Sequence, residues 1–214
     1  AARVSSDSTV LAAYGSFAPV NGMFVDGVIA IGDLGFTTQR RVSETGAIAR
    51  GVRDGSMTFG ALSLGINQGS ERLRWSAYGR GEWLVAELDA YAETGAGRMD
   101  LRFNARDLTS LQSVLGARLD FDLKAGSTRI TPSLRGEWQH EFENGGLQFL
   151  DYADITGQSM FSLGTEDWRR DQFELTLGSA VTLPSLWTFD FEMAVRAARG
   201  QSSATLRAMI AREF

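Results

Sequence analysis

The sequence predicts an all-β chain, a transmembrane antiparallel up-and-down β-barrel, and three observations carry that prediction. Apolar residues recur at every second position over stretches of about 10 residues or more, the length of a tilted membrane-spanning strand and longer than the roughly 5 to 6 residues usual in a soluble sandwich. The chain is rich in glycine and poor in proline, with 24 Gly, 3 Pro and 10% aromatic residues. Short and long connections alternate, as tight turns at one membrane face and longer loops at the other would.

In chain order, strands are expected near residues 9–18, 23–37, 57–67 and 73–91. The next is carried by Leu111, Ser113, Leu115, Ala117, Leu119, Phe121 and Leu123, which alternate with Gln112, Gly116, Arg118, Asp120 and Asp122. Then Ile130, Pro132, Leu134, Gly136, Trp138, His140 and Phe142 alternate with Thr131, Ser133, Arg135, Glu137, Gln139 and Glu141. Phe173, Leu175, Leu177, Val181 and Leu183 oppose Glu174, Thr176, Gly178 and Thr182; Leu183-Pro184-Ser185-Leu186-Trp187 makes a tight turn. Trp187, Phe189, Phe191, Met193 and Val195 oppose Asp190, Glu192 and Arg196, and a last strand is expected over 203–214. These make about nine spans. Short connections are expected at Pro19–Gly22, Gln68–Arg72, Lys124–Thr128 and Pro184–Leu186, longer ones at 38–56, 92–110 and 144–170, and a final hairpin around Gly200. Trp75, Trp138, Trp187 and Phe214 fall near strand ends, where aromatic girdles sit.

Composition removes several alternatives. The 214 residues suffice for one domain. A formal net charge of −5 with scattered Lys and Arg gives no case for nucleic acid. The absence of cysteine excludes a disulfide framework, a thiolate metal site and a cysteine nucleophile. No stretch approaches the roughly 18 consecutive apolar residues of a spanning helix, and the mean hydropathy is −0.12, so strands must do any crossing of the membrane. Ala1 to Asp7 lacks the basic start and apolar run of a signal peptide, so an export signal is expected upstream and the chain reads as a C-terminal piece.

The run Leu115-Gly116-Ala117-Arg118-Leu119, the run from Thr131-Pro132-Ser133-Leu134 to Glu141-Phe142, and Phe214 together resemble the C-terminal translocator domain of bacterial autotransporters, the type V secretion proteins. Ala77-Tyr78-Gly79-Arg80 followed by Tyr91-Ala92-Glu93 is similar too, and the matches keep the family's order over residues 24 to 214. The resemblance implies a barrel of twelve strands, of which residues 1–214 form the C-terminal nine or so, the first being the fourth and descending. It implies that three N-terminal strands, a lumenal helix and the passenger lie upstream of Ala1 or are missing. The implied role is an outer-membrane barrel that anchors an upstream passenger polypeptide and translocates it to the cell surface, with outer-membrane lipid and the barrel assembly machinery as partners and no cofactor. Phe214 would end the assembly signal; Arg212 departs from it, standing where a hydrophobic or aromatic residue is normal.

Arg80, Glu82, Arg118, Arg135, Glu137, Glu174, Asp190, Glu192, Arg196 and Arg207 are expected to face the lumen. The carboxylates could serve as acid and base, but charges of both signs on the polar face are what a hydrated barrel needs, and ion pairing with the arginines is the favoured reading. The single histidine, His140, falls on the outward parity near a strand end, so no Ser/His/Asp triad or multi-histidine metal site is expected, and a girdle role suits it better. Gly95-Ala96-Gly97 and Asn144-Gly145-Gly146 read as loop glycines rather than phosphate loops, and Asp54-Gly55 as the start of a strand rather than a metal loop. Two other functions fit a barrel: a smaller adhesin or structural barrel whose loops 38–56 and 144–170 bind a surface, and an outer-membrane barrel enzyme, against which the poverty in histidine argues.

Overall fold

The computed structural model describes residues 2–154, 161–164, 170–198 and 200–212. In chain order the strands are β1 (Ala2–Phe17), β2 (Met23–Arg41), β3 (Ile48–Gly69), β4 (Leu73–Leu88), β5 (Tyr91–Ala92), β6 (Leu101–Phe103), β7 (Arg106–Phe121), β8 (Leu123–Ala125), β9 (Thr128–Glu141), β10 (Leu147–Tyr152), β11 (Phe161–Gly164), β12 (Asp171–Thr182), β13 (Trp187–Ala198) and β14 (Gln201–Arg212). Nine long strands form one curled antiparallel sheet in the order β1-β2-β3-β4-β7-β9-β12-β13-β14, with β8 added beside β9. Each long strand pairs with its sequence neighbour among the long strands, the meander that short hairpins dictate. Among the described residues β1 pairs only with β2 and β14 only with β13, so the sheet has two open edges.

All nine expected spans are present, and most run longer than expected. The alternation of apolar and polar residues marks only the band that needs an apolar face, whereas the backbone ladder continues past it. β2 and β3 stay in register up to Arg41 opposite Ile48, through polar segments such as Thr37–Arg41 and Arg50–Asp54. The long connection expected at 38–56 is therefore corrected to residues 42–47, and Asp54-Gly55 lies inside β3 rather than at its start. The first strand likewise begins at Ala2, opposite Arg40, and not near residue 9.

All the connections at one end of the sheet are short: 18–22, 70–72, 122–127 and 183–186. Turn chemistry closes them. Gly126 takes φ +63°, and Leu186 is the one non-glycine with positive φ among the described residues, in a turn locked by Leu186 N–H to Leu183 O at 3.0 Å and Leu183 N–H to Trp187 O at 2.8 Å. The opposite end carries both long connections, 89–105 and 142–170, besides 42–47 and 199–200.

The described parts of those two long connections are structured. β11, β10, β6 and β5 form a second, four-stranded antiparallel sheet, joined to the wall by a bridge between Arg50 and Thr94. Ring stacking of Tyr91 on Phe103, with centroids 4.7 Å apart, supports it. Tyr91 lies over Gly51, where a Cβ would collide with its ring. Arg40 donates to the buried Glu93 carboxylate at 2.5 and 3.1 Å. Arg53 donates to the carbonyls of Asp89 and Asn104 and to Gln148 Oε1. These ties hold the small sheet as a cap over the upper ends of β2 and β3.

The core is inverted relative to a soluble domain. Exposed large apolar residues cover one face, among them Phe173 (60% exposed), Leu175 (52%) and Leu206 (80%), while the fully buried side chains are led by Glu141 at 1%. A soluble protein buries the former and exposes the latter.

Candidate functional site

Directly opposed residues in an antiparallel ladder share a face, so register decides which charges meet. Glu82 sits opposite Gln112, Arg80 opposite Val114 and Tyr78 opposite Gly116. Gly116 faces Glu137, and Arg118 faces Arg135. Glu137 faces Glu174, Glu174 faces Arg196, and Glu192 and Asp190 face Arg207 and Met209. All ten charges singled out from the sequence therefore lie on one face. Phe173, Leu175, Leu177, Phe189, Phe191, Met193, Leu206 and Ile210 lie on the other.

The charged face is knitted together across strands. Arg135 lies 3.5 Å from Glu174 on β12 and 3.9 Å from Glu192 on β13, and Arg196 on β13 donates to Glu174 at 2.6 and 3.0 Å. Glu174 is thus held between two guanidiniums. Arg118 pairs with Asp120 on its own strand at 2.8 Å, and Arg80 with Glu82. Asp190 makes no ion pair among the described residues, and Arg207 contacts Met209 Sδ at 3.0 Å. Arg135 and Glu137, adjacent on the face of β9, each pair elsewhere.

Glu137 is only 7% exposed. Its carboxylate accepts the Tyr78 hydroxyl and stands 3.7 Å from Arg80. Tyr78 starts on β4 and reaches β9 by lying across β7, and it passes over Gly116, where any Cβ would strike its ring. Two of the segments that carry the family resemblance, Tyr78-Gly79-Arg80 and Leu115-Gly116-Ala117, are in this way halves of one contact. The sequence signal for it was a glycine on the polar parity of a strand with no turn to make. The contact itself joins residues 59 apart and could not be read from spacing.

Glu141 closes the upper end of the face. Its carboxylate accepts Ser110 Oγ at 2.6 Å, Gln112 Nε2 at 3.0 Å and the backbone N–H groups of Leu111 and Glu143 at 2.9 and 3.0 Å. This satisfies a buried charge with four donors and clamps β7 to β9. In the cap, burial pushes the Tyr91 hydroxyl above its ordinary pKa.

His140 lies on the apolar face, opposite Ser113 and Asp171. Its Nδ1 is 2.9 Å from Asp171 Oδ1, which also accepts Trp138 Nε1–H at 3.1 Å, and its ring meets Phe142 edge-on with centroids 4.8 Å apart. The three rings make a row at the upper rim, with Trp75 and Trp187 on the same face at the lower one. Phe214 lies outside the described residues. Gly95 takes positive φ in the loop before a short 3-10 turn, which Gly97, also at positive φ, opens; both have the turn role expected of them. Among the described residues no group of three or more acidic or histidine side chains is placed to hold a metal ion.

The sequence matches the family described as Autotransporter beta-domain over residues 1–194. The fold is similar to the translocator domain of autotransporter NalP from Neisseria meningitidis, with a TM-score of 0.70 at 15% identity, covering 100% of this chain and 69% of that one. It is also similar to the β domain of the Bordetella autotransporter BrkA, with a TM-score of 0.57 at 14% identity, covering 97% of this chain and 72% of that one. No curated protein matches the sequence closely enough to count as a relative.

Proposed function

The chain belongs to the autotransporter β-domain family, outer-membrane barrels that carry a passenger domain to the cell surface, and from that premise we propose how its residues divide the work. The charged face of the sheet lines a hydrated lumen and the apolar face meets outer-membrane lipid. The observation that carries this reading is the inversion of burial: large apolar side chains are exposed on one face, while on the other Glu137 is nearly buried against Tyr78 and Arg80 and Glu174 is held by Arg135 and Arg196. In hydrocarbon the exposed face costs nothing, and the polar groups keep water and one another.

Closure follows from parity. β1 and β14 are the first and last of nine alternating strands and so run in the same direction; they cannot close on each other by antiparallel pairing. Antiparallel closure takes an odd number of further strands, and three upstream strands would give the twelve that the resemblance implies. Short connections then face the periplasm, and the cap stands at the cell surface. The final strand, β14, is the edge that the barrel assembly machinery engages before closure. The role is transport and anchoring without catalysis: Glu82, Glu137, Glu174 and Glu192 are occupied by arginine and tyrosine partners, and His140 belongs to the lipid-facing girdle.

The test is to express the chain behind its native upstream region and to score heat-modifiable barrel in outer-membrane fractions together with protease-accessible passenger on intact cells. Both signals are expected. A soluble, passenger-free product would overturn the reading.

A further inference from the structure

The upper parts of β1, β2 and β3 gather three arginines on one face. Arg3 lies opposite Gln39 and Gln39 opposite Arg50, so these three residues form one row across the strands. Arg41 stands two residues further along β2, on the same face. The register runs unbroken from there down to Leu11, opposite Ile31, and Phe17, opposite Val25. The arginines therefore point outward, on the parity assigned to lipid and away from the lumen. Arg3 and Arg50 flank a single strand, about 10 Å apart, and Arg41 is about 7 Å from their row. All three are exposed, and none makes an ion pair or a side-chain hydrogen bond among the described residues. Reciprocal backbone hydrogen bonds with Thr94, at 2.9 and 2.8 Å, fix the position of Arg50. On the same face the carboxylates of Asp7 and Asp54 lie two rows nearer the membrane, and Glu44 is in the connection above. Three like charges set side by side without counterions favour an anion that spans them.

Height decides which anion. Leu11 and Ile31 are the uppermost apolar residues of the outward parity on β1 and β2, and mark the top of the hydrocarbon there. Arg3 follows Leu11 by eight residues of strand, 11 minus 3. That is about 27 Å along the strand and, at the usual barrel tilt, about 20 Å above the hydrocarbon. A phospholipid headgroup ends about 5 to 8 Å beyond the hydrocarbon and does not reach the row. The passenger leaves along the opposite face of the sheet. Resting on the assignment of faces, we propose that Arg3, Arg41 and Arg50 bind the core oligosaccharide of lipopolysaccharide, the tall anionic glycolipid of the outer leaflet. Their guanidiniums take its phosphate and sugar-acid carboxylate groups, which accept paired N–H donors, while Gln39 offers an amide between them.

The experiment uses the complete barrel with its native upstream strands, purified in detergent and supplied with rough lipopolysaccharide that carries its full phosphorylated core, with lipid A alone, or with phosphatidylglycerol. Retained lipid is counted by native mass spectrometry. The core-bearing glycolipid should be retained about tenfold over lipid A and phosphatidylglycerol, as three exposed ion pairs of modest worth would give. Combining Arg3→Gln, Arg41→Gln and Arg50→Gln should bring its retention down to that of lipid A. The same loss of charge at the lower rim, by Arg72→Gln, Arg74→Gln and Lys124→Gln together, should leave it unchanged; heat-modifiable mobility certifies the fold of each variant. Equal retention of lipid A and of the core-bearing glycolipid, or a preference that survives the upper triple change, overturns the site. A loss as large from the lower triple change reduces the effect to net charge and overturns it too. Insertion into liposomes by the same preparation separates the two levels of the argument: a barrel that inserts without core preference sinks this site alone, and one that does not insert sinks the membrane reading with it.

Discussion

Whether a side chain at a given position meets lipid or water turns on a shift of one residue, so neighbouring substitutions test the faces most sharply. Phe191 and Glu192 are adjacent on β13 and point to opposite faces. An arginine at the bilayer midplane of a barrel costs about 2–4 kcal/mol, whereas a lumenal replacement costs much less. Phe191→Arg should therefore lower the folded fraction in liposomes by that amount and Glu192→Arg should not; equal urea midpoints would contradict the face assignment. The contact of Tyr78 with Glu137 gives a second test. Gly116→Ala forces the Tyr78 ring off its seat and Tyr78→Phe removes a donor from a nearly buried carboxylate, so each should destabilise the barrel by about 1–3 kcal/mol, with the double variant costing less than the sum. At this scale the sequence was partly legible. Which ten charges share a face follows from period two alone, because register cannot slip without exchanging the faces. Which of them touch does not. Arg135 chose Glu174 and Glu192 over its own neighbour Glu137, and that depends on the curl of the sheet.

Elements were readable wherever lipid imposes a pattern. β12 and β13 were recovered nearly to their ends because alternation fills them from Phe173 to Val195, and the proline turn between them is local. β2 and β3 were cut short because above the membrane their side chains answer to the cap and to water, so the ladder persists without a hydrophobic signature. The cap was invisible for a related reason. Its strands are between 2 and 6 residues long, too short for a period, and they pair across segments far apart in sequence. What holds them is the pairing of Arg40 with Glu93, whose side chain is 3% exposed. Arg40→Ala leaves that carboxylate buried without its cation. Amide exchange over residues 91–103 should accelerate by an order of magnitude or more, a loss of about 1.4 kcal/mol in local stability, while the exchange of β12 and β13 stays as it was. Uniform acceleration across all strands would mean that the cap is not a separable unit.

For the molecule as a whole, the open edges matter more than any single side chain. Among the described residues β14 pairs with β13 on one side only, and in hydrocarbon an open strand edge must be paired. Among the described residues the only other edge of this sheet is β1, so within it no other strand can stand in for β14. The charges of the polar face differ in kind: they are numerous and share partners, and on the proposed lumenal placement water reaches them, so the loss of one pair should be tolerated. Assembly and lumenal chemistry should consequently separate. Removing Val195 to Phe214, or replacing Phe214, should abolish the heat-modifiable barrel in outer-membrane fractions and with it surface passenger. Neutralising Arg135 together with Glu174 should leave insertion intact, because the change removes one charge of each sign and leaves Arg196 and Glu192 on the same face. Both are scored on the chain with its native upstream region, by unheated gel mobility and by protease access on whole cells. If the truncated chain still inserted and still displayed passenger, β14 would not be an assembly edge, and the closure argued from strand parity would have to be built from some other pair of strands.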